Sequence, residues 1–214
     1  MIKQNKTTLI VTTLVMLLPM LVGLLLWNQL PEQLPSHWDI HGNVDDWSSK
    51  TFAVFGFPAM LIGIHWICVF ASSADPKSKN YTPKMRSLVL WLCPIISLVL
   101  HSVVYATALG HSISIEIVLP LIEGVLFIIV GNLLPKCRQS YTLGIKLPWT
   151  LASEENWNKT HRFGGKVWVA GGVLLMASVF WSSIYFLIGT LAVMVLAPTL
   201  YSFLYFLKYE KNAK

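Results

Sequence analysis

Charge is scarce in this chain: Asp, Glu, Lys and Arg make up 12% of its 214 residues, where a soluble domain carries about 25%. With 55% of the residues hydrophobic, that scarcity excludes a fold wrapped entirely by water. Cysteine is nearly absent. Cys68, Cys93 and Cys137 are widely spaced and form no C-x-x-C pair, which excludes a disulfide framework and gives no pattern for a structural metal. No H-E-x-x-H, G-x-S-x-G or phosphate-loop pattern occurs, so no enzyme chemistry, catalytic residue or cofactor is expected. Internal repeats and low-complexity segments are also lacking.

What the chain has instead is apolar runs of bilayer length. Thr7–Trp27 is about 21 residues, enough to cross a hydrocarbon core of about 30 Å at 1.5 Å per residue. It is too long for a signal-peptide core and no A-x-A-like cleavage site follows it. Further spans are expected at 52–71, 88–109, 113–134, 167–182 and 184–207. Only Trp181-Ser182-Ser183 separates the last two, which form either a tight hairpin or one long helix, and a combined length of about twice a span favours the hairpin. The expected fold class is an all-α, polytopic membrane helical bundle of about six transmembrane helices, with both termini in the cytoplasm. It divides into an N-terminal membrane domain, 1–110, with an external loop at 28–51, and a second, 111–214, with a cytoplasmic loop at 135–166.

Orientation follows from the cations, because basic loops resist translocation. Six spans put fifteen of the 16 Lys and Arg residues on one face, leaving Lys50 alone outside beside Glu32, Asp39, Asp45 and Asp46. The net charge of +6 is then a consequence of topology, and nucleic acid is not an expected partner. Trp27 and Trp181 fall at outer ends and Trp66, Trp91 and Trp168 near inner ends, where headgroup-level rings belong. The expected environment is a lipid bilayer.

Pro31, Pro35, Gly42, Asn43 and Asp45 punctuate the external loop, which argues for an ordered cap. His37 and His41 with the nearby acids are a conceivable metal set, but they lack a fixed ligand spacing and no metal is assigned. An acidic, aromatic outer surface suits a cationic amphipathic peptide. In the cytoplasmic loop, Ser153 can cap a short helix opening on Glu154 and Glu155. Trp157, His161 and Gly164 then share a face before Gly164-Gly165 permit a bend into the fifth span. This reads as an amphipathic helix lying along the inner leaflet, which either orients the last hairpin or docks a partner.

Four ionisable groups fall inside spans: His65, His101, Glu116 and Glu123. The two glutamates lie seven residues apart on one face of the fourth span. A mid-bilayer carboxyl costs about 2.5 to 3.5 kcal/mol and needs a partner or a proton, for which His65 and His101 are available. A packing network and a proton or cation path both remain open. Gly164, Gly171 and Ser178 give the fifth span a small-residue stripe.

Two stretches carry a family resemblance. LPEQLPSHWDIHGNVDDWSSK resembles an N-terminal membrane domain of unknown function marked by a proline, an aromatic, a glycine, an acid and a lysine at this spacing. LGIKLPWTLASEENWNKTHR, with Gly131-Asn132 upstream, resembles the SdpI family of immunity proteins against a sporulation-delaying peptide toxin. The resemblance implies a multi-pass protein protecting its cell from a secreted membrane-active peptide, and a sensor that recruits a cytoplasmic repressor. Carried onto this chain, Pro35, His37, Trp38, Gly42, Asp45, Trp47 and Lys50 are the expected toxin-facing residues. Gly131, Asn132, Gly144, Lys146, Pro148, Trp149, Thr150, Leu151 and Trp157, with His161 and Arg162, form the expected docking patch. The competing expectation is a small transporter or proton-coupled channel working through Glu123.

Overall fold

The computed structural model describes residues 2–181 and 183–211. In order these form α1 (Lys6–Leu25), a hairpin of β1 (Gln33–Trp38) and β2 (Val44–Ser49), α2 (Phe57–Ala74), entered by a π-helical turn at Phe52–Gly56, and α3 (Pro83–Ala108). There follow α4 (Ile115–Leu133), the short α5 (Pro148–Ala152), α6 (Glu154–Ala177) and α7 (Ile184–Tyr205). Among the described residues, six helical stretches are long and apolar enough to cross a bilayer: Lys6–Leu25, Phe52–Ala74, Pro83–Ala108, Ile115–Lys136, Glu154–Phe180 and Ile184–Glu210. Large apolar side chains such as Leu14, Leu21, Val195 and Leu196 project outward from them. Water would penalise that surface at about 25 cal/mol per Å², whereas lipid tails are as apolar as leucine. Pro19, Pro94, Pro120 and Pro198 interrupt four of these helices, as lipid-embedded helices tolerate when neighbours satisfy the freed groups.

The chain forms two compact units, Met1–Ala74 with Arg86–Ile115 and Asp75–Met85 with Glu116–Lys214. The first holds α1, the hairpin, α2 and most of α3. Its core beneath the hairpin is Leu30, Leu34, Ala53, Val54, Val104 and Tyr105. The expected cap is thus a two-stranded antiparallel sheet. Leu34 opposite Ser48 turns inward, and the register slips after Pro35, which has no N–H to donate to a ladder. The turn is closed by Asp39, whose carboxylate accepts the His41 and Asn43 N–H groups at 2.8 Å, with Gly42 at φ 76°.

The second unit packs α4, α6 and α7, and here one expectation fails. No separate interfacial helix bends at Gly164-Gly165; α6 runs unbroken from Glu154 to Ala177, so the helix that carries the fifth span starts well before 167, with Lys159, Arg162 and Lys166 exposed along its first half. Ser153 does cap it, accepting the Asn156 N–H at 3.2 Å. The glycines serve close approach. A Cβ on Gly165 would stand 2.7 Å from Gly131 O and one on Gly172 would stand 2.6 Å from Gly124 O, so α4 and α6 cross backbone to backbone. Gly164 and Gly171, one residue earlier in each pair, face Pro198 and Met194 of α7. Bending a helix there would break hydrogen bonds that no water replaces in lipid. Trp168, expected near an inner end, donates from Nε1 to Met194 O at 2.9 Å. Phe163 stacks on Tyr201 with centroids 4.5 Å apart, completing the antiparallel hairpin of α6 and α7.

Candidate functional site

The hairpin divides the expected toxin-facing residues into two groups. His37, Asp45 and Trp47 are exposed, and His37 Nδ1 meets Asp45 Oδ1 across the strands. Trp38 and Gly42 are half-buried and Pro35 is buried. Lys50 turns inward: its ammonium donates to Leu30 O (3.0 Å) and Trp27 O (3.3 Å), lies over the Trp27 ring and pairs with Glu32 at 2.9 Å. It ties down the carbonyls of the turn that follows α1, a place near a helix C-terminus that suits a cation. The Asn43 N–H, ahead of burial and the other bonds, holds the Asp39 carboxyl below its ordinary value. Aspartates and Trp47 thus form a fixed, negatively charged, aromatic edge.

The loop from 137 to 153 is built around one tryptophan. Trp157 is 0% exposed, donates from Nε1 to Cys137 O at 2.7 Å and stacks on His161 with ring centroids 4.1 Å apart. His161 accepts the Ile145 N–H at Nε2 (2.9 Å) and meets Trp157 O at Nδ1 (2.8 Å), which makes it the neutral Nδ1–H tautomer. Gly144 lies where these rings press on the loop. Its φ is +107°, and a Cβ there would sit 2.5 Å from His161 Nε2, so both backbone and space require glycine. Burial lifts the Cys137 thiol to about 11.

Pro148 opens α5, and the Thr150 hydroxyl accepts the Leu147 N–H while donating to Ile145 O, both at 2.9 Å. Trp149 leaves this loop for α7, where Nε1 donates to Ser202 Oγ and the ring packs on Phe203 and Phe206. Leu151 is half-buried; Asn132, Lys146, Pro148 and Arg162 face outward, and Gly131 is buried against α6. The expected docking residues therefore come together as an inner layer of Gly144, Thr150, Trp157 and His161 carrying an outer one that is basic.

The residue organising this surface was not foreseen. Asp75, only 4% exposed, follows α2; its Oδ2 accepts the Tyr81 hydroxyl (2.8 Å), the Tyr141 N–H (2.9 Å), and the Thr142 N–H and hydroxyl (3.0 and 2.9 Å). Its Oδ1 accepts the Lys77 N–H at 2.7 Å. Burial alone would raise this carboxyl, but those bonds outweigh it and hold it below its ordinary value. Burial, with the Asp75 charge, pushes the Tyr81 hydroxyl up to about 12. Gln139 adds a second tie: Nε2 donates to Thr150 O and Leu151 O at 2.9 Å, while its own carbonyls accept from Lys77 and Asn80. Asn156 ties α6 to α7 through Ser202 O and Glu210. A signal for Asp75 was present, since it is the one acid among Lys77, Lys79, Lys84 and Arg86.

The ionisable residues inside the spans fall in different surroundings. His65 Nε2 reaches Thr12 Oγ1 at 3.4 Å, and His101 meets Ser97 O at 2.7 Å and the Phe57 and Tyr105 rings, all within the first unit. Glu123 belongs to the second unit, half-buried, with Oε2 lacking a partner among the described residues, and Glu116 is exposed.

Comparison with known proteins matches these same segments. Residues 136–202, the loop with α5, α6 and most of α7, match the SdpI/YfhL protein family. Residues 14–62, from the middle of α1 through the hairpin into α2, match a domain of unknown function, DUF1648. The chain is also 26% identical over 167 residues to the immunity protein SdpI of Bacillus subtilis (strain 168), covering 75% of this chain and 77% of that protein. No solved structure matches it. The chain is therefore a multi-pass protein of the cytoplasmic membrane with a segment that matches DUF1648 in its first half and one that matches the SdpI/YfhL family in its second.

Proposed function

We propose that this is a non-enzymatic immunity protein that protects its cell against a secreted, membrane-active peptide. The observation that carries the reading is the similarity to an immunity protein along most of both chains. The hairpin faces outward in this reading, because the basic connections stay inside. Its Asp45, Asp46 and Trp47 offer acids and an aromatic ring to a cationic amphipathic peptide. The basic inner surface, displaying Lys146 and Pro148 on the loop and Arg162 on the first half of α6, is the one that docks a cytoplasmic repressor. Signalling between them requires that the peptide bind two states of the protein with different affinity, since equal affinity shifts no equilibrium.

The test is survival of a toxin-sensitive strain expressing the chain and challenged with the sporulation-delaying peptide and its relatives. Protection supports the reading, and no gain against any of them sinks it. In a protected strain, Trp47→Ala with Asp45→Asn should lower survival at unchanged membrane level. Lys146→Ala with Arg162→Ala should leave survival intact and abolish recruitment of a fluorescent repressor fusion.

A further inference from the structure

The interior of the first unit holds polar atoms that no protein group satisfies. His65, Ser97 and His101 are 0%, 0% and 2% exposed, yet His65 Nδ1, Ser97 Oγ and His101 Nε2 have no hydrogen-bond partner among the described residues. Such atoms are rare in folded interiors because a buried donor or acceptor left without a partner forfeits the hydrogen bonds it made to water.

Their neighbours determine what they lack. The Thr12 hydroxyl donates to Leu9 O at 3.1 Å, so towards His65 its oxygen is an acceptor and His65 Nε2 carries the hydrogen. His65 Nδ1 is then a bare lone pair. His101 Nδ1 faces Ser97 O at 2.7 Å and must donate, which leaves His101 Nε2 a lone pair as well. Two acceptor nitrogens face the interior, and the Ser97 hydroxyl can donate to one of them at most. The shortage is of donors.

Helix register spreads the three along the interior of the first unit. α1 and α2 are antiparallel, with Thr12 beside His65 and Gly23 against Val54. α2 and α3 are antiparallel as well, Phe57 lying on His101 with ring centroids 5.5 Å apart, and the Tyr105 hydroxyl reaches Pro19 O at 2.9 Å. Counting along the helices puts Ser97 within a turn of the His65 level and His101 about 10 Å above it, at 1.5 Å per residue. Buried apolar side chains close both ends. Leu34, Val54 and Val104 lie on the hairpin side, and Leu9, Val69 and Leu90 on the other.

We propose that this is an occluded water-binding chamber, in which a short file of water molecules donates to His65 Nδ1 and His101 Nε2 and bridges Ser97. Water is the small ligand that supplies two donors while also accepting. The apolar layers make the chamber a closed store of hydration, shut to both sides of the membrane.

Radiolytic hydroxyl-radical labelling of the full chain in lipid nanodiscs, read by mass spectrometry, tests this, because radicals form where water is bound. Met16, buried at the chamber's level, is the reporter. Normalised to the SDS-unfolded chain, Met16 and His101 should be labelled about tenfold faster than Leu9, Val69 and Leu90. Equal protection at all five positions means a dry interior and overturns the proposal. Equal labelling at all five means an open path and overturns the occlusion. His101→Phe should lower Met16 labelling several-fold, and an unchanged rate also counts against the site; if that variant does not fold, the native measurement decides alone.

Discussion

The hairpin at 33–49 and the loop at 137–153 are both polar connections between spans, but they are held in opposite ways. The hairpin keeps its functional candidates on the surface, and its anchorage is Leu34 beneath it and one inward-turned lysine. The loop is held by buried family-like residues: Trp157, His161 and Thr150, with half-buried Gly144, are the frame, and the basic side chains are hung on it. An exposed residue can matter for binding with little effect on folding, whereas a framing residue alters both. Substitution should therefore separate the two regions.

The largest effect is expected at the loop's centre. Trp157→Ala should destabilise the second unit by about 3 to 5 kcal/mol, the range for truncating a large buried aromatic. In a background with Cys68 and Cys93 replaced by alanine, maleimide should then label Cys137, whose buried, protonated thiol is protected in the native chain. Next is Gly144→Ala, which forces an L-residue to φ +107° for about 1 to 2 kcal/mol, plus the displacement of His161. A thermal shift in detergent matching that of Gly63→Ala, where a Cβ meets open space, would contradict this frame.

Asp75→Asn should cost about 1 to 3 kcal/mol, because one amide oxygen cannot replace two carboxylate oxygens that together accept five bonds. Its pH dependence has a definite sign. The folded carboxyl lies below its unfolded value of about 3.9, so its stabilisation is fully present above that pH and is lost as pH falls through the folded value. Wild type should lose stability on acidification while Asp75→Asn, measured by the same denaturant titration, changes less.

At the hairpin, Lys50→Met should cost about 1 to 3 kcal/mol by orphaning Trp27 O and Leu30 O. Glu32→Gln should cost under about 1 kcal/mol, because Glu32 is solvent-exposed. Equal losses would mean the ion pair, and not the carbonyl cap, anchors the hairpin. The smallest effect is Trp47→Ala, within about 0.5 kcal/mol on stability, although it belongs to the surface proposed to meet the peptide.

Much of this was legible in the chain. The six spans were, because twenty-odd apolar residues in lipid have few options but a helix, and so was the Ser153 cap. The helix of the fifth span starts earlier than hydropathy indicates, since Asn156, Thr160 and His161 are polar residues that it buries. The seven-residue spacing of Gly164 and Gly171 signals a packing stripe, and they do pack, against α7; the parallel stripe of Gly165 and Gly172 against α4 is masked in the sequence because adjacent glycines look like a bend. Lys50 looked like an outward charge because nothing local shows which carbonyls a lysine will find.

The sequence by itself determined that this is a polytopic membrane protein, and roughly where it crosses, because hydrophobic length and charge placement act one segment at a time. Only the tertiary structure decided which polar side chains face inward. Asp75 is joined to Tyr141 and Thr142, and Lys50 to Trp27 and Leu30, across separations of twenty to nearly seventy residues. A buried charge is tolerated only where such distant partners converge, and convergence is a property of the folded chain.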